Sequence, residues 1–83
     1  MGWIHVEVLK RGNYGQTWPL DYCTVAGKVS GFIGGLTGDF KTDDRGIAKV
    51  TWGNNNDLEC LFIKGNRYQG PFESGRSYTI VVS

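Results

Sequence analysis

The chain has 83 residues, with nine Lys and Arg against eight Asp and Glu, and 13 glycines beside only two alanines. That length makes one small domain, residues 1–83, with a thin core. The charge is balanced and evenly spread, which excludes the basic stripe of a nucleic-acid binder, and no apolar run nears the roughly 18 residues of a membrane-spanning helix.

Glycine spacing decides the fold class. The longest glycine-free stretches, 16–26 and 54–64, are 11 residues each. The first contains Pro19 and the second opens on Asn54-Asn55-Asn56-Asp57, so a helix of average length has nowhere to sit. With 18 Val, Ile and Thr and 11 aromatics, the chain reads as all-β. Residues 3–10 alternate, with Ile4, Val6 and Val8 on one face and Trp3, His5, Glu7 and Leu9 on the other, the pattern of a half-buried strand. Residues 11–21 hold Gly12, Gly15, Asn13 and Pro19 and read as a long loop. Residues 22–33 are apolar but interrupted by Gly27 and Gly31, which predicts one bent strand or two short ones.

Gly34-Gly35 and Gly38 flank a turn. A short strand over 39–42 then meets the polar turn Asp43-Asp44-Arg45-Gly46 and a strand over 47–52, a hairpin with Ala48, Val50 and Trp52 inside. Gly46 is expected at positive φ. Residues 58–64 are apolar on both faces, so this strand should be covered on both. The 11–21 loop is the favoured cover, and a second subunit the alternative. Short strands over 67–69 and 76–82 follow, the last presenting Tyr78, Ile80 and Val82 to one side. Six or seven short strands at this spacing predict a small antiparallel β-sandwich, with a small OB- or SH3-like barrel as the alternative.

Catalytic chemistry finds little footing. His5 is the only histidine, and the serines that could join it, Ser30, Ser74, Ser77 and Ser83, lack a nucleophile-elbow context. Asp39, Asp43 and Asp44 lack the spacing of a calcium loop and read as turn formers that bond their own backbone. No glycine cluster fits a phosphate or dinucleotide loop. The chain is read as a non-enzyme with no cofactor and no metal. Cys23 and Cys60 are too far apart for a CxxC site. Two buried free thiols are the favoured reading; a bridge closing about 38 residues, worth about 4 kcal/mol, is the other. The opening segment lacks the basic and apolar regions of a secretory leader. The location is then read as cytoplasmic, or as extracytoplasmic if the chain is cut from a secreted protein.

Aromatic residues are the features that could carry binding. Trp3 on the outer face of its strand, and Tyr14, Gln16 and Trp18 in the 11–21 loop, are the candidate ligand-binding residues. The competing reading folds Tyr14 and Trp18 back as a plug on one end of the sandwich.

Val25-Ala26-Gly27-Lys28-Val29, Thr42-Asp43-Asp44-Arg45-Gly46-Ile47-Ala48 and Gly65-Asn66-Arg67-Tyr68 come in an order that resembles accessory β-sandwich domains of the carboxypeptidase-regulatory-like (prealbumin-like) and bacterial immunoglobulin-like groups. The resemblance covers roughly residues 25–82 and rests on turn motifs. It implies a non-catalytic interaction or scaffold module that is part of a larger protein or assembly, its partner a protein or a neighbouring domain. A carbohydrate-binding module using the loop and surface aromatics is the alternative, with a glycan as ligand. Nucleic acid and membrane are not expected partners, and a monomer is favoured over a dimer.

Overall fold

The computed structural model describes residues 1–31 and 35–83, and every regular element among them is a strand. In chain order these are β1 (Gly2–Arg11), β2 (Thr17–Pro19), β3 (Thr24–Val29), β4 (Phe40–Lys41), β5 (Ile47–Trp52), β6 (Leu58–Ile63), β7 (Asn66–Phe72) and β8 (Arg76–Val82). They form two facing sheets. In the first, β1 is central, with β8 along one side and, on the other, β5 paired with Gly2–Glu7 and β2 with Leu9–Arg11; the second has the order β4-β3-β6-β7. The fold is a small β-sandwich, and neither sheet closes into the alternative barrel.

Alternation along β1 places Ile4, Val6 and Val8 in the core, fully buried. Val50, Ala48 and Trp52 of β5 join them, as the hairpin pattern predicts, and Val25, Leu58, Leu61 and Ile63 face them from the second sheet. Burying each such aliphatic side chain contributes about 1.5–3 kcal/mol, the main stabilising effect in so thin a domain. Two buried threonines serve the backbone where β3 needs partners. Thr42 Oγ1 accepts from the Cys23 amide at 2.8 Å and donates to the Leu20 carbonyl at 2.6 Å, while Thr37 Oγ1 accepts from the Gly27 amide at 2.9 Å.

The structure departs from the sequence reading in several places. Residues 11–21 are not a loop throughout. β1 runs on to Arg11 and β2 turns back along it, pairing Leu9 with Pro19, Lys10 with Trp18 and Arg11 with Thr17. This makes the eighth strand. β8 lies parallel to β1, Ile4–Lys10 against Arg76–Val82, because the chain crosses from β7 in the other sheet and enters beside β1 in the same direction. Of the 22–33 segment, Thr24–Val29 forms a strand, β3, whose register with β6 shifts between Lys28 and Val29; Phe32 and Ile33, like Gly34 after them, lie outside the described residues.

The same shift accounts for β6. Lys28 pairs with Cys60, whereas Val29 pairs with Leu58, so β6 carries one extra residue at Glu59. A bulge of this kind resets the alternation. Leu58, Leu61 and Ile63 can then all face the core, leaving Cys60 and Phe62 on the other side. The expected cover by residues 11–21 does not occur, since that hairpin belongs to the first sheet. On the outer face of the second sheet, Lys28 and Glu59 form an ion pair at 3.3 Å.

Both cysteines are free and buried. Cys23 belongs to the core cluster, whereas Cys60 is on the opposite face of its sheet. Cys60 pairs with Lys28, five residues along from Cys23, which at ~3.4 Å per residue is far beyond the ~7 Å that a disulfide tolerates. Burial pushes the Cys23 thiol pKa up, against the lowering influence of Lys64 and Lys41. Thiol titration at neutral pH is therefore expected to be slow in the native state and to release two fast-reacting groups in guanidinium. A native-state rate matching that of a free peptide thiol would contradict this packing.

The Asp43–Gly46 turn forms as its residue types dictate. Asp43 Oδ1 accepts from the Arg45 amide at 2.9 Å and the Ile47 amide at 3.0 Å, an Asx-type turn, and Gly46 has φ 76°. The bond from the Ile47 amide is the largest influence holding the Asp43 carboxyl below the usual carboxylate range. A depressed folded-state pKa contributes stability above the unfolded value and loses it as pH falls through the folded one. Wild type should thus lose more of its thermal stability than Asp43→Ala between neutral pH and pH 2; equal losses would show that these bonds add nothing.

Candidate ligand-binding surface

The β1–β2 hairpin shapes the first candidate surface. Its loop is Asn13-Tyr14-Gly15: the Gly12 amide donates to the Gln16 carbonyl at 2.7 Å and the Gly15 amide to the Gly12 carbonyl at 3.3 Å. Gly15 takes φ 81°, as a three-residue hairpin loop with a left-handed last position requires. The Gln16 side chain folds over the turn, its Oε1 accepting from the Tyr14 amide at 3.0 Å. Tyr14 is pushed out at the tip.

Trp18 pairs with Lys10 and so shares the face of Ile4, Val6 and Val8. At this end of β1 the core face is filled by Val82, which lies beside Lys10 on the β8 side. The Trp18 ring covers Gly12 instead, where an added Cβ would come within 2.7 Å of the ring edge and of Gln16 Cδ. Gly12 is what lets the indole approach the strand. Lys10, Arg11, Tyr14, Gln16, Trp18 and Ser83 border a depression of about 440 Å³. Tyr14 is 93% exposed and Trp18 43% exposed, so neither plugs the sandwich. Two cationic side chains, two aromatics and three neutral polar ones, Asn13, Gln16 and Ser83, face one opening, and among the described residues no acidic side chain lines it. Such a surface can stack on a planar group, donate hydrogen bonds and favour negative charge.

Trp3 is not part of this surface. It sits seven residues before Lys10 on β1, roughly 23 Å away at strand rise, on the opposite face. There it is half-buried, edge-on to His5 with ring centroids 5.1 Å apart, and the Lys49 ammonium lies 5.5 Å from its ring centre. The four sequence-derived candidates therefore divide, with Tyr14, Gln16 and Trp18 together and Trp3 apart. Lys10, not among those four, is the cross-strand neighbour of Trp18. Its signal was present in the spacing: a hairpin closed at residues 12–16 must place 10 opposite 18.

A second depression, of about 410 Å³, lies on the outer face of the first sheet between His5, Glu7, Ile47, Ser77 and Thr79. Register brings Ser77 beside His5 and Thr79 beside Glu7. The Glu7 carboxylate is engaged by the Thr79 hydroxyl at 3.2 Å, not by His5, and Ser77 lies within a strand without a turn to supply oxyanion donors. This is a juxtaposition of residue types and not an assembled nucleophile. Among the described residues, no three of His, Cys, Asp and Glu are placed to hold a metal ion.

Comparison with family models, with curated proteins and with solved structures gives no match for this chain.

Proposed function

We propose that this domain is a non-catalytic interaction module whose partner, a protein or neighbouring domain, is engaged by the end of the β1–β2 hairpin. This agrees with the likeness to carboxypeptidase-regulatory-like and bacterial immunoglobulin-like accessory domains. The observation that carries the reading is the exposure of Tyr14 and Trp18 around one depression, on a hairpin braced by the long central strand. Exposed Trp, Tyr and Arg are the residues that most often dominate binding energy at protein interfaces, and a loop on a rigid scaffold is where function tends to lie. A carbohydrate ligand is the second reading, favoured by an indole held against Gly12 next to the Gln16 amide.

Peptide and glycan arrays probed with wild type and Trp18→Ala separate these readings. The expected result is peptide binding that falls at least about tenfold in Trp18→Ala while its melting temperature changes little. Binding confined to glycans would favour the second reading. Binding indifferent to Trp18→Ala would remove the hairpin end as the site.

A further inference from the structure

A sheet margin presents unpaired amides and carbonyls, and β-proteins protect such margins with short strands, proline, bulges or charge. Most margins here are protected. β2 has three residues and ends in Pro19, and β4 has two. β7 contains Pro71, which has no amide hydrogen, within a shift of its register against β6. β5 carries Lys49 at its middle and abuts β4 of the opposite sheet.

β8 differs. Among the described residues it pairs with β1 alone, over seven residues in unbroken register, and its sequence RSYTIVV has no proline, no glycine and one charge, at its first position. Of its inward side chains, Val82 is buried in the core while Tyr78 and Ile80 pack on it yet stay half-exposed, and Val81 on its outer face is 37% exposed.

From this open margin we propose that β8 pairs antiparallel with β8 of a second copy of the chain about a two-fold axis at Thr79, joining the two first sheets into one. The strand is complementary to itself in that register. Thr79 meets Thr79, Tyr78 meets Ile80, Ser77 meets Val81, and Arg76 meets Val82. Thr–Thr and aromatic–β-branched pairs are among the favourable cross-strand neighbours, and no like charges oppose. The contact is isologous, so it closes at two copies and does not grow into a fibre. One strand pair is small beside a standard interface, which makes this a weak, concentration-dependent dimer. It departs from the monomer favoured on sequence grounds because chain order alone does not put β8 at a margin.

Light scattering of the full chain over a concentration series tests association, and cysteine crosslinking tests the register. The wild-type mass should rise from 9.2 kDa toward twice that value. Thr79→Lys, an exposed substitution that sets two ammonium groups against each other, should hold it at the monomer mass with an unchanged melting temperature. Under mild oxidation Thr79→Cys should crosslink to itself. Ser77→Cys should crosslink only when mixed with Val81→Cys, and the two native thiols are buried and should not contribute. A monomer mass at every concentration, a Thr79→Lys protein that still dimerises, or self-crosslinking of Ser77→Cys in place of Thr79→Cys would overturn the proposal.

Discussion

Gly46→Val is expected to lower the unfolding free energy by about 4 kcal/mol, much of the ~5–15 kcal/mol available to a domain of this kind. Two costs combine. A β-branched residue forced to φ 76° is strained by about 1–3 kcal/mol, and its Cβ would lie 2.7 Å from the Val8 carbonyl oxygen and 3.1 Å from Pro19 Cβ. Overpacking against backbone adds about 1–3 kcal/mol more. The position is sensitive because of where it falls along β1. β5 pairs with Gly2–Glu7 and β2 with Leu9–Arg11, and Val8 lies at the junction. Its amide donates to the Gly46 carbonyl at 2.7 Å, and its carbonyl accepts from the Leu20 amide at 3.0 Å. A substitution here disturbs both partners of β1. Denaturant unfolding checks it: a midpoint within error of wild type would show that the turn and this junction yield without cost.

Leu61→Ala should cost about 3–4 kcal/mol, within the range for a fully buried leucine. Leu61 pairs with Gly27 on one side and Tyr68 on the other. Gly27 has no side chain to fill the space left behind, which is already shared with Leu58: a Cβ on Gly27 would come within 2.8 Å of Leu58 Cδ1 and 3.4 Å of Leu61 Cδ2. Gly27→Ala alone is thus expected to destabilise by about 1–3 kcal/mol through overpacking. In the double variant Leu58 can move into the vacated volume, so the combined loss should be less than the sum. Strict additivity in a double-mutant cycle would mean that the three side chains do not share that space.

β1 and β5 were legible in the sequence because each has one wet and one dry face, and a period of two says which residues are which. The Gly46 turn was legible because its chemistry is local: an aspartate that bonds amides two and four residues on, and a glycine that takes positive φ. β6 misled, since a single extra residue at Glu59 reverses the alternation and makes a strand with one core face resemble one with two. β2 was hidden by the glycines and proline around it, although Gly12 and Gly15 are the residues that let the hairpin close. The parallel seating of β8 beside β1 is decided by contacts more than 70 residues apart in sequence, which no local pattern records. Of the site, Tyr14, Gln16 and Trp18 were legible as sequence neighbours. Trp3 was grouped with them by residue type and exposed face, whereas its distance along β1 sets it apart.

The claim that the hairpin end is the binding surface is tested most directly by mapping amide chemical shifts of the ¹⁵N-labelled domain. The titrant is the peptide or glycan that binds best on the arrays. The account predicts that the largest changes fall on residues 10–18 and Ser83, with residues 3–7 and 77–79 unmoved. Changes centred on His5, Glu7 and Thr79, with Tyr14 and Trp18 unaffected, would contradict it and assign binding to the outer face of the first sheet.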